Sequence, residues 1–190
     1  MRIGVLALQG DFHEHQAMLT GLGVEVVQVR LPRHLEGLQG LIIPGGESTT
    51  IGKLAVDFGL IEPLRAFGKE HAIWGTCAGA IFLSSDARRE QPLLGLMDIV
   101  VARNAFGRQV DSFEADLDVH FMGFSNQRLF RAIFIRAPII EQVRGEAQAL
   151  ITLPDGRIVA AQQGRWLATS FHPELTGDDR FHRYFLELVR

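Results

Sequence analysis

Cysteine is nearly absent. Cys77 is the one cysteine in 190 residues, which rules out an intrachain disulfide and with it the small secreted scaffolds that depend on such bridges. An excess of positive charge is missing too. The 19 Lys and Arg against 22 Asp and Glu leave a net charge of −3, so no broad basic field exists to draw in nucleic acid or an anionic membrane surface. No apolar run approaches the roughly 18 residues of a membrane span. The stretch after Met1-Arg2, Ile3 to Leu8, is too short for the apolar core of a secretory leader. Repeats and low-complexity tracts are lacking as well. These absences lead to the expectation of a cytoplasmic protein folded as a single domain over residues 1–190, with neither nucleic acid nor membrane as partner.

What the chain does have is a core and many glycines. Hydrophobic residues make up 47% and charged residues 22%, ordinary globular values. A chain of this length buries about 70% of its unfolded surface and needs no metal or disulfide staple. The 20 glycines exceed the usual share of about 7%, and many fall at the ends of apolar segments.

The periodicity alternates between strands and helices through the first half. Ile3 to Leu8 reads as a short strand buried on both faces, Val24 to Val29 as a second strand, Gly40 to Ile43 as another buried strand and Ala72 to Trp74 as a fourth short one. Between them, a helix capped by Asp11 runs to about Leu22, with Phe12, Ala17 and Leu19 inward. A second helical stretch starts at Ser48 or Thr49, breaks near Gly59 and resumes through Phe67. A further helical segment covers Ala80 to Ser84. Beyond Leu93 the pattern becomes strand after strand: Met97 to Arg103, Leu129 to Ile135, Ala149 to Leu153, Arg157 to Gln162 and Trp166 to Phe171. A final helix from about Asp178 carries Phe181, Tyr184, Phe185 and Leu188 on one stripe. The expected architecture is α/β, a three-layer sandwich. A mostly parallel central sheet has helices on both faces and antiparallel strands in its C-terminal half.

Gly75-Thr76-Cys77-Ala78-Gly79 falls between a strand and a helix. This is the nucleophile-elbow arrangement with cysteine at its apex, and the flanking glycines remove side chains that the sharp turn would bring into collision. The turn sets the sulfur at a helix N-terminus, where the dipole favours the thiolate. A lone cytosolic cysteine is more often a small buried hydrophobe, so two further features matter. In Ser170-Phe171-His172-Pro173-Glu174 the proline biases His172 toward extended chain, so His172 and Glu174 project to one side. An imidazole base with its own orienting carboxylate is what a nucleophilic thiol requires. In Pro44-Gly45-Gly46-Glu47-Ser48, backbone free of side chains can turn an N–H toward an oxyanion and complement the N–H of Ala78. Gln9-Gly10, Gly45-Gly46 and Cys77 all stand at carboxyl ends of strands, where open parallel sheets bind ligands. Metal ligation is not indicated: His13 and His15 lie two apart on a helix and face different sides.

Longer stretches carry a narrower signal. They are Gly4 to Gly10, Leu41 to Thr50 (Leu-Ile-Ile-Pro-Gly-Gly-Glu-Ser-Thr-Thr), Trp74 to Ala80, Arg103 to Glu114 (Arg-Asn-Ala-Phe-Gly-Arg-Gln-Val-Asp-Ser-Phe-Glu), Phe134 to Pro138 and His172 to Leu175. Together they resemble the class I, triad-type glutamine amidotransferases, and within them the glutaminase subunits of pyridoxal 5′-phosphate synthases. The elbow and the His-x-Glu pair match the wider class, whereas the Gly-Gly-Glu-Ser-Thr-Thr and Asn-Ala-Phe-Gly-Arg-Gln motifs match the vitamin B6 branch. Ser84 to Pro92 is the one departure, a surface loop shorter than the family's.

The resemblance implies Cys77 as nucleophile with His172 and Glu174 completing the triad. It implies an oxyanion hole at Gly46 and Ala78, and contacts to L-glutamine from Gly46, Glu47, Ser48, Arg103, Ile135 and Arg136. It implies no cofactor and no metal. It also implies a partner, a (β/α)₈-barrel synthase subunit in a large hetero-oligomer, which receives the ammonia and builds pyridoxal 5′-phosphate. Three other readings share parts of the pattern: the glutaminase of another synthase such as that of imidazole glycerol phosphate, a non-catalytic partner domain of the same fold, and a cysteine peptidase on the same elbow. The Arg103 to Glu114 segment argues against the first and the intact Cys, His and Glu against the second.

Overall fold

The computed structural model describes residues 1–103, 112–124 and 128–190. Residues 104–111, which carry the whole Asn-Ala-Phe-Gly-Arg-Gln motif, lie outside them.

The first half alternates as its periodicity predicts. The elements are β1 (Arg2–Leu6), α1 (Phe12–Gly21), β2 (Glu25–Val29), β3 (Gly40–Ile43), α2 (Ser48–Asp57), α3 (Ile61–Glu70), β4 (Ala72–Thr76) and α4 (Ala78–Leu83). The chain continues through β5 (Ser84–Asp86), β6 (Met97–Ala102), β7 (Ser112–Leu117), β8 (Phe130–Ile135) and β9 (Ile139–Val143). It finishes with β10 (Gln148–Thr152), β11 (Ile158–Gln163), β12 (Trp166–Thr169) and α5 (Arg180–Val189).

The main sheet has the order β2-β1-β3-β4-β12-β11-β9-β6-β5, with β10 paired to β11. Pairing is parallel from β2 through β12 and antiparallel across β12–β11, β11–β9 and β9–β6. The mostly parallel sheet with an antiparallel C-terminal half is therefore as expected. A separate antiparallel pair, β7–β8, forms a second small sheet.

Period-two alternation sends each central strand into two cores. Ile3, Val5, Ile42 and Trp74 point to the face covered by α1, α5 and the β7–β8 pair. Leu6, Leu41, Ile43 and Ile73 point to the opposite face, under α2, α3 and α4. Trp74 is the largest fully buried side chain. Its indole N–H donates to Thr169 Oγ1 at 3.1 Å, and its ring meets Phe181 and Phe185 of α5 at centroid distances of 6.3 and 5.7 Å. The polar handle is thus satisfied while the ring fills the core; truncation to alanine there costs about 3–5 kcal/mol.

Some local expectations needed correction. In α1 the inward residues are His15 and Leu19, both fully buried, while Ala17 is exposed. Asp11 makes no side-chain cap, because its carboxylate is engaged elsewhere. Helix α2 does start at Ser48, and its cap is Glu47, which accepts from the Thr50 N–H. Ser84 leaves α4 to open β5, and strands β7 and β9 were not foreseen.

Candidate active site

The elbow forms because glycine stands on both sides of Cys77. A Cβ on Gly79 would lie 2.0 Å from the Ile43 carbonyl oxygen, and one on Gly75 would lie 2.5 Å from the Gly79 oxygen. With those side chains absent, β4 turns directly into α4 and Cys77 is held at φ 47° and ψ −108°. Positive φ on a side-chain-bearing residue costs on the order of 1–3 kcal/mol and persists only where the surroundings fix it. Here the Cys77 N–H donates to the Thr169 oxygen at 2.8 Å on the neighbouring β12. The sulfur stands 4.0 Å from the Ile135 carbonyl oxygen.

His172 and Glu174 reach the same place from the turn after β12. The His172 ring and the Cys77 sulfur line the same cleft. The ring's Nδ1 lies 2.7 Å from Glu174 Oε1 and 3.4 Å from Asp11 Oδ2. Burial works to lower the His172 pKa. The hydrogen bonds with Asp11, Cys77 and Glu174 outweigh it and carry the imidazole well above its ordinary value. Burial also pushes the Glu174 carboxyl up, against the opposing pull of His172. Asp11, His172 and Glu174 are the only cluster of metal-ligand type among the described residues, and its Nδ1 is already engaged by carboxylate.

A cleft of about 370 Å³ opens over the sulfur. Of the ten residues singled out from the sequence, Cys77, His172, Gly46, Glu47, Ser48, Ala78, Arg103, Ile135 and Arg136 line it. Glu174 lies behind His172, fully buried as a side chain. Glu47 pairs with the Arg103 guanidinium across the mouth. Partial burial pushes the Glu47 carboxyl up, but Thr49, the Thr50 N–H and Arg103 together hold it down to about 2. Arg136 sits exposed at the rim with φ 41°. The Ala78 N–H belongs to the first turn of α4, where no intrahelical acceptor exists.

Two polar lining residues were given no site role in the sequence. Gln9 accepts from the Glu47 N–H at 2.6 Å, and Asp11 touches His172. Both follow β1, and their place at the carboxyl end of a central strand is the signal that could have marked them. The loop they meet is tight: a Cβ on Gly10, at φ 100°, would fall 1.7 Å from the Gly45 oxygen. A larger groove of about 760 Å³ runs along β8 and α5. Its arginines 131, 180 and 183 are already paired with carboxylates, so the convergent chemistry belongs to the smaller cleft.

Comparison with known proteins identifies the family. The profile of the SNO glutamine amidotransferase family matches residues 5–190. A pyridoxal 5′-phosphate synthase subunit PdxT from Herpetosiphon aurantiacus is 59% identical, covering 99% of this chain and 100% of the relative. The PdxT subunit of Roseiflexus castenholzii is 55% identical over the same shares. A solved glutamine amidotransferase structure superposes with a TM-score of 0.91 at 51% identity, covering 98% of each chain.

Proposed function

Since the chain belongs to the SNO glutamine amidotransferase family, we propose that its cleft hydrolyses L-glutamine to glutamate and ammonia through Cys77, His172 and Glu174. The observation that carries this reading is the convergence, on one cleft, of the elbow sulfur and an imidazole whose Nδ1 is held by a buried carboxylate.

The chemistry follows from the geometry. The Cys77 thiolate attacks the side-chain amide carbon, and the carbonyl oxygen becomes an oxyanion facing N–H groups at Gly46 and Ala78. The His172 imidazolium gives its proton to the departing nitrogen, which leaves as ammonia. A γ-glutamyl thioester remains on Cys77. Neutral His172 then takes a proton from water, the hydroxide carbon–oxygen bond forms, and the thiolate departs as glutamate is released. Glu174 holds the ring in the orientation both steps need. Arg103 and Arg136 supply cations for the α-carboxylate of glutamine, and Glu47, Ser48 and Ile135 border the substrate. No step calls for a metal or cofactor.

Ammonia in neutral water is mostly protonated and no longer nucleophilic, so a synthesis must receive it under cover. The reading accordingly includes a partner, a barrel-shaped pyridoxal 5′-phosphate synthase subunit joined to this chain in a hetero-oligomer. Among the described residues no helix is long and apolar enough to cross a membrane. A catalytic thiol that must stay reduced suits the cytoplasm. The test is ammonia release from glutamine by the parent and Cys77→Ala, with and without the synthase subunit. We expect slow release alone, faster release with the partner, and none from Cys77→Ala. Full release by Cys77→Ala would refute the assignment.

A further inference from the structure

Behind the proposed triad the polar chain does not stop at Glu174. Its second oxygen, Oε2, is buried without a hydrogen-bond partner. The nearest cationic-type group is His15 of α1, whose Nε2 lies 3.4 Å away and also 3.1 Å from Thr76 Oγ1. His15 Nδ1 in turn lies 3.0 Å from Nε2 of His182 on α5, and His182 Nδ1 is again buried without a partner. Both rings have zero exposure and stand edge-on to Trp74, with centroids 5.6 and 5.0 Å from it. Burial holds both well below the usual histidine range, so both are neutral. Each therefore carries one N–H to place.

Only two placements let the rings bond to one another. In the first, His15 Nδ1–H donates to His182 Nε2. The His182 proton is then forced onto Nδ1, where a buried N–H has no acceptor, and Glu174 Oε2 faces a lone pair of His15. In the second, His182 Nε2–H donates to His15 Nδ1, and His15 Nε2–H donates to Thr76 Oγ1, with Glu174 Oε2 3.4 Å from that nitrogen. The sole remainder is a lone pair on His182 Nδ1. A buried donor or charged acceptor left unmet costs about 1–3 kcal/mol, and the first placement leaves one of each. The second is the arrangement selected.

We infer that His15 is a positioning residue for the hydrolysis, its Nε2–H turning a positive edge toward the outer oxygen of Glu174, 3.4 Å away, while His182 fixes its tautomer. The inference rests on the reading of Cys77, His172 and Glu174 as the triad. His15 touches neither the sulfur nor the cleft; it acts through Glu174, which sets the plane of the His172 ring. Because Thr76 precedes Cys77 in the chain, the same N–H also ties the elbow to α1.

Two variants separate this role from simple core filling. Glutamine carries its amide nitrogen about where histidine has Nε2, whereas asparagine reaches only as far as Nδ1. In the presence of the synthase subunit, His15→Gln should recover most of the parent kcat. His15→Asn should lose about tenfold or more, with KM for glutamine nearly unchanged in both. Ring-nitrogen NMR on the unaltered protein gives a second reading that needs no variant to fold: His15 and His182 should both be protonated at Nε2 and bare at Nδ1. Parent kcat in His15→Asn, equal losses in the two variants that track their melting temperatures, or an Nδ1–H tautomer at either ring would overturn the inference. Cys77→Ala, measured alongside, distinguishes the failures. If it is inactive while His15→Asn is not impaired, this inference alone falls; if it is active, the triad reading falls with it.

Discussion

Asp11 and His172 face one another across the floor of the cleft, with the carboxylate 3.4 Å from the same Nδ1 that Glu174 holds at 2.7 Å. One imidazole nitrogen thus lies under two acids, one buried and one partly open to the cleft. The second acid favours imidazolium, the form that must protonate the leaving nitrogen. Asp11→Asn keeps the shape and removes the charge. The His172 pKa should fall, and the alkaline limb of kcat/KM for glutamine should move to lower pH. A pH–rate profile identical to the parent's would show that Asp11 has no hold on the ring.

Arg103 and Glu47 make a second pair, this one at the mouth. The side chains are 27% and 41% exposed, so the pair itself adds little stability. Its value is positional, since Glu47 caps α2 and draws the guanidinium over the cleft. Arg103→Ala should raise KM for glutamine by about 10- to 100-fold, the worth of one charge-assisted contact, with a smaller effect on kcat. Glu47→Ala should add a loss of about 1 kcal/mol in folding stability from the missing cap. Steady-state kinetics and urea unfolding of the two variants check both statements.

The parts of this molecule that could be read in advance have local causes. Strands β1, β3 and β4 announce themselves as apolar runs because both faces are buried. The elbow shows because a turn that sharp excludes side chains on either side of Cys77. His172 and Glu174 do meet, though not along extended chain: Pro173–Leu175 forms a 3₁₀ turn that brings the carboxylate back to Nδ1. What escaped depends on distant partners. Asp11 has the look of a helix cap, and only the return of His172 from the far end of the chain draws its carboxylate away. Strand β7 shows alternating exposure along Ser-Phe-Glu-Ala-Asp-Leu, and its strand character comes from pairing with β8 and from Phe113 stacking on Phe134 at 4.4 Å. His15 offered no sign of burial, since a histidine between polar neighbours in a weakly amphipathic helix reads as surface until Trp74 and α5 close over it.

Close backbone approach at the elbow leads to a stability prediction. Gly79→Ala would place a methyl carbon 2.0 Å from the Ile43 oxygen, and neither atom is on a flexible side chain that can swing aside. The strand β3 or the helix α4 must move, and both anchor the cleft. A loss on the order of 3 kcal/mol or more is expected. At Gly59, by contrast, a Cβ meets nothing within 4 Å, and only its φ of 62° opposes substitution, so Gly59→Ala should cost about 1 kcal/mol. Comparable melting temperatures for the two variants would contradict the steric account.

The buried histidines also set how stability responds to acid. The His182 pKa falls from its ordinary 6.5 to about 3, and burial is the cause. Between those values the unfolded chain binds a proton that the native protein refuses. Unfolding therefore takes up protons, and stability falls as pH drops through 6.5, by up to about 1.4 kcal/mol per pH unit for one such group. His15 is lowered by burial as well and acts in the same direction. His172 has the opposite sign: its pKa is raised, so its contribution is fully present below pH 6.5 and is lost only as pH rises toward its native value. The two effects divide the pH axis. Above neutrality the slope belongs to His172, and between about pH 6.5 and 5, before exposed carboxylates titrate, it belongs to His15 and His182, opposed in part by Glu174, whose raised carboxyl takes up its proton in the native state first. Urea unfolding across that acid window should show stability declining with pH, and His182→Phe should reduce the slope by about one proton's worth. A flat profile, or a slope unaltered by the substitution, would mean that the two rings are not held neutral in the core.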